Sequence, residues 1–160
     1  MRELAFCGAA LLFLATGALA GPVDDLSKSL VGREGKASID HRQEEVKMRV
    51  FGQDIKGGCK GDAETVELHI TAANGHLSGD TAAMDASYDG NYTHTHCGSD
   101  TTTEKKHVFG HYLFNVTSKP FQKLQVSEGR LAGIGESADP NDSANKLALE
   151  AVKNAVAGAF

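Results

Sequence analysis

From Ala37 onward the chain alternates apolar and polar residues, and a period of two leaves few folds open. In "EVKMRVF" Val46, Met48 and Val50 fall on one side and Lys47 and Arg49 on the other. "ETVELHI" repeats the pattern with Val66, Leu68 and Ile70 against Glu67 and His69. Successive side chains of a strand point to opposite faces, so each stretch predicts a strand with one dry and one wet face, as in an antiparallel sheet covered on one side. "GNYTHTHC" continues the series, with Tyr92, His94 and His96 on one face and Thr93, Thr95 and Cys97 on the other. In "KHVFGHYLFNVTS" the apolar face is Val108, Tyr112, Phe114 and Val116, Gly110 marks a bulge or a close approach, and Lys119-Pro120 ends the strand. "FQKLQVSEGRLAGIG" supplies one or two further strands. Turn residues fall in "DIKGGC" and "ANGHLSGD", with Asn74-Gly75 the strongest hairpin signal.

The two ends have a helical period. "VDDLSKSLVG" predicts a helix of two turns at most, capped by Asp24 or Asp25, with Leu26, Leu30 and Val31 on one face and Gly32 as the stop. "DPNDSANKLALEAVKNAVAGAF" predicts an amphipathic helix of about 18 residues, with Asp139 as cap and Pro140 in the first position. Its apolar stripe is rich in alanine (Ala148, Ala151, Ala155), and small side chains let a helix lie close on a sheet. The expected class is α+β: an antiparallel sheet of about five strands, a long C-terminal amphipathic helix on one face and a short N-terminal helix.

Residues 1–20, "MRELAFCGAALLFLATGALA", have a basic start, a short apolar run and a small-residue end, which predicts a signal peptide cleaved before Gly21. The 160-residue chain loses 20 residues with it, and the remaining 140, residues 21–160, suit a single domain. The expected destination is secreted or extracellular, periplasmic in a bacterium, with no transmembrane segment in the mature chain. Cys7 leaves with the leader, so Cys59 and Cys97 are predicted to form one disulfide in an oxidising compartment. A net charge of −5 with scattered basic residues gives no footprint for nucleic acid.

Sites follow from residue types and spacing. His94 and His96, two apart on one strand face, are spaced to converge on a zinc ion if a third ligand joins them from His69, His107, His111 or an Asp near 80–100. Asp85, Ser87 and Asp89 followed by Gly90 match the first half of a calcium loop, but the twelfth position is His96 rather than an acid. The expectation is therefore no cofactor, with zinc at His94 and His96 or calcium at Asp85 and Asp89 as the alternatives. Asn91, Asn115 and Asn141 each head an acceptor sequon for glycosylation. No Gly-x-Ser-x-Gly elbow and no phosphate-cradling Gly loop is present, which argues against an enzyme built on either.

These readings favour a secreted, non-enzymatic binding module that holds a small apolar ligand or a protein partner. The alternative is a histidine-based metal protein, a carrier or a hydrolase, using His94 and His96. Intact-mass spectrometry of the protein recovered from its secretion pathway is expected to show an N-terminus at Gly21 and the two-hydrogen deficit of one disulfide; a chain beginning at Met1 would contradict the leader.

Overall fold

The structure is a computed structural model that describes residues 20–117, 125–127, 129–133 and 142–160. Residues 1–19 of the expected leader, the Lys119-Pro120 strand end and the sequon residue Asn141 lie outside the described residues, and the leader's last residue, Ala20, opens the first helix. Elements run in the order α1 (Ala20–Leu30), β1 (Glu34–Asp40), β2 (Gln43–Val50), β3 (Gln53–Ser78), β4 (Thr81–Cys97), β5 (Thr102–Thr117), β6 (Gln125–Val126), β7 (Arg130–Ala132) and α2 (Ser143–Ala157). The strands form a sheet in the order β1-β3-β4-β5-β6, with β2 also on β3 and β7 also on β5, and all pairings are antiparallel. The class is α+β as the alternation implies, with seven strands among the described residues rather than about five; the extra ones are the two- and three-residue β6 and β7.

The strands are longer than the turn signals suggest. Asn74-Gly75 does not turn: β3 runs through it to Ser78, and the reversal comes at Gly79-Asp80, with Gly79 at φ +61°. Gly75 is needed for space instead, because a Cβ there would collide with Val23 of α1 and stand 2.7 Å from Met84 Sδ. "DIKGGC" is likewise strand, and the β2–β3 hairpin turns earlier at Phe51 and Gly52, both with positive φ (51° and 78°), the backbone twist a two-residue hairpin requires.

Both helices contact the sheet, and the apolar positions of β3, β4 and β5 meet their apolar stripes. β2 departs from the expected dry face, since Met48 and Val50 lie exposed where no described helix covers them. Val66 and Ile70 of β3, Leu30 of α1 and Val152 and Val156 of α2 are the largest fully buried side chains. α1 is eleven residues long and begins before Asp24 and Asp25, which lie inside it rather than capping it; Pro22 in its first turn costs no hydrogen bond there. Leu26 and Leu30 are buried as the spacing predicts, Val31 is exposed, and Gly32 at φ +81° ends the helix. α2 has 15 residues rather than about 18, and its cap is Asp142, not Asp139. The Asp142 carboxylate accepts from Ala144 N at 2.8 Å, satisfying one free N–H of the first turn. At the other end Arg33 Nη1 donates to Gly158 O at 2.6 Å, a cation on the negative end of the helix.

The alanine stripe does bring α2 close to the sheet. Ala148, Ala151 and Ala155 are buried, and a Cβ on Gly35 of β1 would sit well inside contact distance of Ala151 O. Gly35→Ala is therefore expected to destabilise the fold by ~1–3 kcal/mol or more, read from the midpoint of urea unfolding. Tyr88 Oη is buried and, among the described residues, has no hydrogen-bond partner, which costs about 1–3 kcal/mol. Tyr88→Phe should raise stability by up to that amount. Burial also pushes the Tyr88 phenol up to about 12, so the folded state keeps a proton the unfolded chain releases near pH 10. That contribution is full below pH 10 and lost as pH rises toward 12, and the Phe variant should lack this part of the alkaline loss.

Candidate functional site

Two groups of histidines and carboxylates emerge from the strand register, one on each face of the sheet. On β4 the even-numbered residues from Ala82 to Tyr92 are buried beneath the helices. His94 and His96 continue that same face beyond the start of α2. The helix stops covering the sheet at Glu64, which accepts a hydrogen bond from Ser143 Oγ in its first turn. Past that point the covered face opens to solvent, so polar residues can occupy positions that would otherwise be core.

The register pairs Asp62 with His96 and Glu64 with His94 across β3 and β4, and places Glu104 of β5 beside His94. His96 Nδ1 donates to Asp62 Oδ1 at 2.8 Å, and His94 Nε2 donates to the same oxygen at 3.1 Å. The bond from His96, then that from His94, holds the Asp62 carboxyl below the usual carboxylate range. Burial first, then the Glu64, Asp142 and Glu104 carboxylates, pushes the neighbouring Tyr92 phenol up to about 12. Cys59 and Cys97 form the expected disulfide, with Cα atoms 5.3 Å apart, and it clamps the same end of the β3–β4 ladder. His94 and His96 are thus brought together as their spacing predicts, and the acidic residue that joins them is Asp62. None of the third residues named from the sequence stands there.

Among the described residues the opposite face carries no helix. There Asp85, Ser87, Asp89 and Asn91 of β4 lie beside His107, Phe109 and His111 of β5, with His69 of β3 next to Asp89. His107 Nε2 donates to Asp89 Oδ2 at 2.8 Å and His111 Nδ1 to Asp85 Oδ1 at 2.9 Å. Asp85 and Asp89 therefore belong to a strand, not a loop, and four strand residues span about 13 Å, too far for both to reach one calcium ion. Phe109 sits between the two histidines, 39% exposed, with its ring 5.1 Å from that of His107. Beside it runs an open groove of about 570 Å³, lined by Glu34, Lys36, Glu67, His69, Asp89 and Asn91 among others. Two sequon asparagines, Asn91 and Asn115, are exposed on this face.

Ser87, His111 and Asp85 have the composition of a catalytic triad without its geometry. Ser87 Oγ stands 3.4 Å from His111 Nδ1, the same nitrogen that donates to Asp85. A serine nucleophile needs its proton taken by one ring nitrogen while the carboxylate holds the other. Here both contacts fall on one nitrogen.

Among the described residues no three His, Cys, Asp or Glu side chains stand in a ready coordination shell, and no helix is long and apolar enough to cross a membrane. Compared with protein-family models, curated proteins and solved structures, the chain gives no match.

Proposed function

We propose that the protein is a secreted binding module that engages a protein partner through the helix-free face of its sheet. The observation that carries this reading is Phe109, an exposed aromatic ring set between the Asp89–His107 and Asp85–His111 pairs on paired strands. An aromatic anchor ringed by polar groups is the usual make-up of the energetic centre of a protein interface. The strands hold these side chains in fixed register, so little ordering cost opposes docking. A disulfide fits an oxidising compartment and supports export.

Once a partner is captured, its affinity should fall about tenfold or more in Phe109→Ala and be unchanged in Lys153→Ala on the helical side. Glycans attached to Asn91 or Asn115 should weaken the same complex, because both residues lie on the docking face. Equal affinity for the wild type and Phe109→Ala, measured by titration calorimetry, would remove this reading.

A small apolar ligand is the second reading, and it has its own observation. An open groove of about 400 Å³ near the end of α2 is lined by Tyr112, Val126, Ser127, Lys153, Val156, Ala157 and Phe160, with Val126 and Phe160 partly exposed. A fluorescent fatty-acid probe bound by the wild type and lost in Phe160→Ala would favour it over the protein partner.

A further inference from the structure

We propose that Asp62, His94 and His96 form a binding site for a divalent transition-metal ion of borderline softness, of which Zn²⁺ is the test case. This site is independent of the docking face, since it lies on the opposite side of the sheet.

The geometry carries the assignment. Two imidazole nitrogens, each with its N–H axis directed at one carboxylate oxygen, lie 2.8 and 3.1 Å from that oxygen. Donor atoms that share one ion at about 2.0–2.2 Å stand roughly 2.9–3.4 Å from each other in octahedral or tetrahedral geometry. Both nitrogen-to-oxygen distances are thus within a few tenths of an ångström of ligand spacing, and hydrogen bonds hold each imidazole to the carboxylate oxygen. The three side chains do not form a ready shell as they stand, and an ion would have to replace the two ring protons that now bridge them. All three side chains are at least partly exposed and have room to adjust (His94 31%, Asp62 47%, His96 55%).

Metal binding needs those two nitrogens as lone-pair donors. In each neutral ring the proton moves to the other nitrogen, to Nε2 of His96 and Nδ1 of His94, and an imidazolium would release its proton to solvent. Two nitrogens and one carboxylate oxygen suit Zn²⁺, Cu²⁺ or Ni²⁺ better than Ca²⁺ or Mg²⁺, which prefer oxygen alone. Water completes the shell. The surrounding charge favours a cation: Glu64 and Glu104 flank His94 in register, and of these Glu104 is balanced in part by Lys106 at 3.6 Å. The adjoining disulfide fixes the strand ends that carry the donors, which limits the ordering an ion must impose.

The test uses the mature, disulfide-bonded protein without a polyhistidine tag, stripped with a chelator and titrated with Zn²⁺ by calorimetry. One ion per chain is expected, with affinity at least tenfold weaker in Asp62→Asn, His94→Ala and His96→Gln and unchanged in His107→Ala and His111→Ala. Because a variant can fail through misfolding, the wild type is also followed by NMR. Zinc should shift the ring signals of His94 and His96 and leave those of His107 and His111 in place. Absence of binding, or binding whose variants and ring shifts follow His107 and His111, would overturn the proposal.

Discussion

The antiparallel register between β3 and β4 is the constraint on which the other features depend. It runs from Gly61 opposite Cys97 to Ser78 opposite Thr81, with one irregularity between Ile70 and Ala72. Because side chains alternate, a slip by one residue would carry Val66, Leu68 and Ile70 out of the core and expose them. The burial of those residues under α2 therefore fixes the register, and the Cys59–Cys97 disulfide pins one end of it. Position along the ladder then decides what each residue does. The same face is core where α2 covers it and an ionisable cluster where the helix has ended.

Much of this architecture is legible in the sequence, for a physical reason. Alternation reports which face of a strand is dry where a helix covers it: Val108, Tyr112, Phe114 and Val116 are all buried, whereas Met48 and Val50 of β2 alternate in the same way and are exposed. The helix periods report their apolar stripes in the same way. What sequence reasoning misplaces is the turns. Asn and Gly favour a reversal through their local backbone freedom, but Gly75 sits where two neighbouring side chains leave no room for a Cβ, and tertiary packing sets the outcome. Strand length went astray for the same reason, since each false turn cut one long strand in two. The α2 cap moved from Asp139 to Asp142 because several Asp residues near a helix start offer equal chemistry, and only the fold selects one.

The candidate sites were half legible. His94 and His96 are two residues apart in sequence and need only a strand to share a face. Asp62 is more than thirty residues away, and local pattern says nothing of it. A signal was nevertheless present. A disulfide between Cys59 and Cys97 brings the residues just after the first cysteine alongside those just before the second, which sets Asp62 near His94 and His96, and the register seats it opposite His96. The His–Asp pairs of the open face had no such staple to reveal them, and their alternate spacing in "DASYDGN" resembled a calcium loop more than a strand.

β4 serves both surfaces through the parity of its residues. Asp85 and Asp89, odd-numbered, face the open side; His94 and His96, even-numbered, face the helical side. The histidine pair and the aspartate pair cannot join in one site, however close they are in sequence, because the sheet lies between them. The same separation leaves the two surfaces free to be occupied together. A protein docked on Phe109 does not block Asp62, and an ion at Asp62 adds its charge behind the sheet rather than within the interface. Among the described residues the two surfaces are joined through the β3–β4–β5 ladder, whose hydrogen bonds would resist the strand shifts by which one occupant could alter the other. Independent rather than linked binding is what this construction favours.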